Sequence, residues 1–386
     1  MFLVDFPPIA YVDPWQTSFE ARRALLSIGK HRVAYYYEKP DNSTFRYRVY
    51  NMIQVLDTSS PEVSAAFFHE AEIDLMPSVV DLAEVLVICR ARYSEKLNAL
   101  ITRARSKGKR VLFDIDDLVF DADYIHLILN TLDQDTANPH VWDYWHAYVS
   151  RLGATLKLCD GVITTNQFLA SRIREFADID VAIIPNFLNK EQMEVSLSIF
   201  EEKKSRGFAT NGEFHLGYFS GTPSHNKDFD IISGALADLF RSDSRIHLRV
   251  VGFMDFGGRL KEYGSRVEHY PLHDFLNLQR LIGLVELNLV PLQENMFTNC
   301  KSELKYFEAA IVGTLTVASP VYTYACAVTD EKDGHLARSY EWAGKIRSVI
   351  NSMESYPEMA ERAAMRAEQD YAWYRQKDRI LHALLD

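Results

Sequence analysis

EVLVICRARYSEKLNALITRARSKGKRVLFDID, residues 84–116, sets two apolar runs on either side of a helix-patterned stretch. EVLVICR (84–90) and RVLFDID (110–116) show little alternation of polar with apolar residues, as expected of strands covered on both faces. The intervening residues 93–107 supply the helix that a parallel crossover needs. The same unit repeats outward. RVAYYY (32–37), GVITT (161–165) and VAIIPN (181–186) read as further strands, and 46–55, 62–74, 139–159 and 167–177 as helices. This half of the chain therefore reads as one doubly wound α/β domain.

EEKKSRGFATNGEF (201–214) is charged, contains glycine and reads as a linker. The alternation then restarts with FHLGYFS (214–220), IHLRVVG (246–252), VEHYPL (267–272), VELNLVPL (285–292) and TLTVAS (314–319). Helical patterns fall near 227–240, 274–283, 302–312 and 340–352, so a second open α/β sheet is expected. The polar tail 357–385 is helical in pattern, with Trp373, Tyr374 and Leu384 as anchors. The expected organisation is 1–206, 207–356 and a closing helical segment 357–386, the two sheets facing a cleft. Ligands of such sheets sit outside the carboxyl ends of the strands, where loops and helix N-termini converge.

The 386 residues are 47% apolar, enough for two packed cores, and 42 Lys plus Arg against 53 Asp plus Glu leave a net charge of −11. That balance argues against a nucleic-acid partner, which requires a cationic surface. Cys89, Cys159, Cys300 and Cys326 lie far apart without a C-x-x-C pair. Neither a disulfide framework nor a zinc site is expected from them, and a reducing, cytoplasmic setting is the simpler reading. No apolar run is long enough to span a bilayer. The first residues, MFLVDFPPIAYVDP, are broken by Asp5 and two prolines and do not read as a secretory signal. Contact with a membrane surface stays open, as does the oligomeric state.

MFTNCKSELKYFEAAIVGTLTVASP (296–320) is the most informative segment for chemistry. Ser302 can cap a helix whose free N–H groups and dipole favour an anion. Lys301, Lys305 and Glu308, spaced i, i+4, i+7, share one stripe about 60° wide, beside the apolar stripe of Leu304, Phe307 and Ile311. Two ammonium groups suit a diphosphate and a carboxylate one turn on suits ribose hydroxyls; an ordinary surface Lys–Glu pair has the same pattern. In LGYFSGTPSHNKDFDII (216–232) a strand runs through Gly221, Thr222 and His225 into a helix opened by Asn226 and Lys227. Gly221 permits close backbone approach, and Lys227 can point a cation at a phosphate.

RVLFDIDDLVFD (110–121) ends a strand in carboxylates, so Asp114, Asp116 and Asp117 are expected at its carboxyl edge. They read as a pocket wall contacting acceptor hydroxyls, as a magnesium site, or as loop caps. The apolar strand followed by D-x-D also resembles the haloacid-dehalogenase motif, which implies a magnesium phosphatase using Asp114 and Asp116. After the first strand, EKPDNSTFRYRVYNM (38–52) places Arg46 and Arg48 where a loop enters a helix, as phosphate contacts or as a basic surface. Trp142, Tyr144, Trp145, His146 and Tyr148 crowd the 124–149 stretch and suit either sugar stacking or core packing.

K-S-x-x-K-x-x-E-A-A-x-x-G-x-x-x-V-A-S (301–319) resembles the donor-binding helix of GT-B glycosyltransferases, specifically family 4. That resemblance implies two Rossmann-like domains, the first for the acceptor and the second for a nucleotide-sugar, with the last helix crossing back to the first domain. It implies retaining transfer of a sugar from a nucleotide-diphosphate sugar to a glycan or lipid-linked saccharide, in bacterial surface-polysaccharide (O-antigen- or capsule-like) assembly at the inner face of the cytoplasmic membrane. No obligatory metal or other cofactor is implied, since protein cations and helix dipoles neutralise the leaving diphosphate. Glu308 matches the second of the family's two glutamates, the ribose ligand. The first falls on Cys300, where Thr298, Asn299, Lys301 and Ser302 are left to hold the sugar. Lys227 matches a phosphate-gripping lysine, with His225 in place of its arginine partner. Lys227, Lys305 and Asp116 are the expected catalytic residues. A non-catalytic module that binds nucleotide or glycan is the remaining alternative.

Overall fold

The computed structural model describes residues 8–208, 212–221, 226–252 and 260–386. The first sheet comprises β1 (His31–Tyr37), β2 (Val63–His69), β3 (Val85–Cys89), β4 (Arg110–Asp114), β5 (Gly161–Thr164) and β6 (Val181–Ile183), in the order β2-β1-β3-β4-β5-β6. The second comprises β7 (Phe214–Ser220), β8 (Ile246–Gly252), β9 (Val267–Tyr270), β10 (Leu287–Val290), β11 (Leu315–Ala318) and β12 (His335–Leu336), in the order β12-β11-β10-β7-β8-β9. Every pairing between these strands is parallel. Strand order reverses between β1 and β3 and again between β7 and β10. Crevices open at such points, outside the carboxyl ends. No helix among the described residues is long and apolar enough to cross a membrane.

Two expectations change. The helix expected over 62–74 is β2, VSAAFFH, six of whose seven residues are buried. Its adjacent alanines and phenylalanines suit either periodicity, and pairing along the whole of β1 decides for a strand. The supposed linker 201–214 begins inside the helix Lys190–Ser205. Lys203 in that helix is buried and donates to the Val285 carbonyl at 3.1 Å and the Thr314 hydroxyl at 2.9 Å. Burial pulls its pKa down to about 8. The charged run therefore holds a tertiary anchor, and its helix packs against Phe275–Gly283 of the second half.

The tail forms two helices. Tyr356–Tyr371 lies against Leu304–Ala310, with Tyr371 stacked on Phe307 at 4.6 Å. After a break at Ala372, Lys377–Leu385 packs on the helix Asn51–Ser59 and on β6, so the chain returns to the first half. Leu384 is the buried anchor there, and its carbonyl accepts from Arg110 at 3.2 Å.

Gly313 turns the chain from Leu304–Ala310 into β11 with φ of +70°. A Cβ there would stand 2.8 Å from the Phe208 ring and 3.1 Å from that of Phe200. Gly313→Ala is expected to lose about 1–3 kcal/mol of stability, from left-handed backbone strain and the ring contacts together. Urea denaturation measures it, and an unchanged midpoint would refute that account.

Candidate active site

The site is built over buried charge. Asp114, the last residue of β4, is wholly buried, and Arg48 grips it with Nε on Oδ1 at 2.8 Å and Nη2 on Oδ2 at 3.0 Å. The remaining guanidinium nitrogen donates to the Ile184 carbonyl at 2.7 Å and to Asn186 Oδ1 at 3.2 Å. Burial pushes the Asp114 carboxyl up to about 6, against the pull of Arg48. A carboxylate enclosed in this way cannot attack a phosphate monoester, so the phosphatase reading fails at its nucleophile.

Arg46 is also buried, donating to Gln192 Oε1 at 3.0 Å and Glu308 Oε1 at 3.3 Å, with its guanidinium 3.9 Å from the centre of the Tyr47 ring. The same Glu308 oxygen accepts from Gln192 Nε2 at 2.9 Å and from the Tyr47 hydroxyl. Arg46 and Arg48, expected as phosphate contacts, thus neutralise carboxylates instead. Glu308, expected on an open stripe, is 3% exposed and joins the two halves of the molecule.

The stripe itself does not form, because Lys301 lies ahead of the helix, which begins at Leu304. Glu303 occupies the cap position without a capping hydrogen bond, while the Ser302 hydroxyl accepts from Asn186 Nδ2 at 2.9 Å. Thr298 is fully buried in a reciprocal cap with Asn295, and Asn299 Oδ1 accepts from the Tyr322 amide at 2.8 Å, capping the helix Tyr322–Ala327. These two residues, expected on the donor, hold the backbone. Cys300 is fully buried in the core beneath the first sheet, where an ionised glutamate would be desolvated.

Above this base lies a cavity of about 190 Å³ between the carboxyl edges of the two sheets. Ser43, Thr44, Tyr47, Asp116, Asp117 and Asn186 line it from the first half, and Lys301, Ser302, Leu304, Lys305 and Tyr324 from the second. Asp116 Oδ1 accepts from Arg90 at 2.8 Å and Oδ2 from the Thr44 hydroxyl at 3.1 Å. Burial favours its neutral form, but Arg90 and Arg48 outweigh burial and hold the carboxyl below the usual range. Asp117 stands 3.4 Å from Arg90 and 3.6 Å from the Lys301 ammonium.

Lys305 differs from the other cations. Among the described residues its ammonium has no hydrogen bond or ion pair, only the Tyr218 ring 5.5 Å away. Burial lowers its pKa to about 8, with Asp228 opposing. Lys227, in the first turn of Asn226–Ser242 and expected to be catalytic, is not among the residues lining the cavity. Its ammonium donates to the Asn130 carbonyl at 3.0 Å and Asn130 Oδ1 at 3.2 Å, and lies 3.3 Å from Asp133. Gly221 is exposed with open space about its α-carbon. Thr222 and His225 lie outside the described residues.

Arg90 was not anticipated. It follows β3 with φ of +43° and orders both aspartates. Its signal was a charge ending an apolar run at a carboxyl edge, the same signal that exposed Asp116. The aromatic helix Pro139–Leu156 contributes nothing to the cavity lining; Tyr144 is exposed and stacks on Tyr148.

Neither a protein-family profile nor a curated protein matches the sequence. Solved structures do match in three dimensions. HepE from Anabaena, in complex with UDP and glucose, superposes with a TM-score of 0.61 at 13% identity, over 91% of this chain and 98% of that one. Sucrose-phosphate synthase from Thermosynechococcus elongatus gives 0.59 at 14%, over 91% and 96%. A glycosyltransferase from Rickettsia africae gives 0.58 at 11%, over 92% and 96%. The architecture is therefore the two-domain GT-B fold.

Arg48→Met leaves Asp114 buried and unpaired and is expected to lose about 3–5 kcal/mol in chemical denaturation. Arg48→Met with Asp114→Leu should recover most of that loss. Equal instability of the single and double variants would show that the ion pair is not the cause.

Proposed function

We propose that this protein transfers a sugar from a nucleotide-diphosphate sugar to a hydroxyl of a saccharide or lipid-linked acceptor. The observation that carries the proposal is the cavity in which Lys301 and Lys305, the latter without an ion pair among the described residues, face Asp116 and Asp117 across the junction of two GT-B sheets. The HepE structures with UDP and with UDP-glucose support a nucleotide-sugar as donor.

As the bond from the anomeric carbon to the diphosphate breaks, its electron pair passes to the phosphate oxygen. Lys305, with Lys301 beside it, neutralises the charge that develops, and preorganised cations are most effective when water is excluded. Asp116, ionised and fixed by Arg90 and Thr44, accepts a hydrogen bond from the acceptor hydroxyl. The acceptor oxygen bonds to the anomeric carbon, and its proton leaves on the departing diphosphate. Attack on the same face gives retention, the course that the family 4 resemblance implies; the anomeric configuration of the product, read by NMR, tests it. Charge neutralisation by two ammonium groups requires no metal in the transfer step, so activity is expected to survive a chelator. Surface-polysaccharide assembly is the proposed setting.

Lys305→Ala should lower kcat/KM about 10²–10³-fold, the scale for losing one oriented charge partner of a transition state. Because Lys305 is only partly buried and has no hydrogen bond or ion pair among the described residues, the melting temperature should not fall. Activity is read as nucleotide release from a panel of nucleotide-sugars, and release with no dependence on Lys305 or Lys301 would defeat the proposal. No release from any donor at all would favour a binding module.

Binding should depend on pH with a definite sign. A diphosphate favours the Lys305 ammonium, whose pKa in the free protein is about 8. Affinity is therefore full below that pH and declines above it, by up to about tenfold per unit for one coupled proton. Lys305→Arg should flatten the profile, and calorimetric titration with UDP across that range measures both.

A further inference from the structure

At the opposite, amino-terminal edge of the second sheet, three neighbouring strands begin alike. FHL (214–216), IHL (246–248) and VEL (285–287) come into register. His215 of β7 lies opposite His247 of β8, and Leu216 opposite Leu287 of β10, which sets Glu286 beside His215. Register partners share a face of the sheet, so Glu286, His215 and His247 form a row across it. Glu213 covers this row. Its Oε2 lies 3.4 Å from His215 Nε2 and its Oε1 3.8 Å from His247 Nε2. On the other side of the His215 ring, Nδ1 stands 3.5 Å from Glu286 Oε2, and that oxygen also accepts the His215 amide at 2.6 Å.

Mutual ion pairing explains the arrangement poorly. As neutral rings, two imidazoles aimed at one carboxylate gain little; as cations they repel each other across a centroid separation of 5.5 Å. A cation between them removes the difficulty. The ligand atoms of Glu213, His215 and His247 already lie within 4.8 Å of one another. Tetrahedral zinc, with bonds of about 2.0–2.1 Å, holds its ligand atoms about 3.4 Å apart. The Glu213–His215 pair is at that spacing, and the His247 ring completes the set by moving up to about 1.4 Å closer. Two imidazoles and one carboxylate suit zinc over magnesium. Glu286 Oε2, 3.5 Å from Nδ1, lies where a slight approach would accept an Nδ1 proton and leave Nε2 to bind.

We infer that Glu213, His215 and His247 bind one zinc-class divalent cation, with Glu286 as the positioning residue for His215. The fourth position is open to solvent. Five residue steps along β7, about 17 Å of strand, separate His215 from Ser220 at the carboxyl edge. The ion would clip β7 to β8 and take no part in the transfer chemistry, so the inference stands apart from the proposed function.

Chelator-treated full-length protein, titrated with zinc sulfate in competition with a chromophoric indicator, should take up one equivalent. Zinc should also raise the melting temperature and magnesium should not. His247→Ala should weaken uptake by at least about tenfold, and Glu286→Gln by about tenfold. Glu213→Gln, at an exposed position where folding is not at stake, should weaken it as His247→Ala does, with an unaltered circular dichroism spectrum. Absence of saturable uptake, or uptake unchanged in both Glu213→Gln and His247→Ala, would overturn the inference.

Discussion

Three consecutive side chains hold a carboxylate from each half of this molecule. Arg48 takes Asp114 at the end of β4, while Arg46 and Tyr47 take Glu308 in the helix that precedes β11. They stand on one π-helical turn, Arg46–Tyr50, whose wider coil leads directly into the helix Asn51–Ser59. A charge withdrawn from water must be matched where it lies. The two sheets are therefore held at one separation and one angle at this point, and the cavity above inherits its dimensions. Tyr47 belongs to both, since its hydroxyl meets Glu308 and its side chain lines the cavity.

Around the gap, charge is divided between work within the fold and work left for a ligand. Arg46, Arg48, Arg90 and Lys227 all meet carboxylates of the chain. Lys301 is partly matched by Asp117, and Lys305 has no carboxylate within ion-pair distance among the described residues. A partly desolvated ammonium with no counter-ion beside it among the described residues raises the free energy of the protein, which is why its pKa falls. An entering polyanion relieves that cost and encounters a charge already desolvated and oriented, with little reorganisation left to do. Preorganisation of this kind is the main source of electrostatic catalysis.

The pattern of apolar runs and helical stretches was legible as two doubly wound sheets because a strand buried on both faces has few polar residues to spare. β2 fits both periodicities in VSAAFFH, and the Lys190–Ser205 helix was not legible, its charged end reading as a linker. At the site, Lys301 and Lys305 were visible as charges where a helix opens and Asp116 and Asp117 as charges at a strand end, and all four line the cavity. Arg46, Arg48 and Glu308 carried the same signal yet turned inward, and Thr298 and Asn299 became caps. For Arg46, Arg48, Glu308 and Asn299 the partner lies far along the chain or in the other half, whereas Thr298 is held by Asn295 three residues before it.

Residue order alone thus determined which elements form and which charges gather at their carboxyl ends, because periodicity and strand burial are local properties. Only the tertiary structure decided which of those charges are neutralised within the fold and which remain for a ligand. That choice depends on whether an opposite charge arrives within about 4 Å, and arrival is governed by the packing of one sheet against the other.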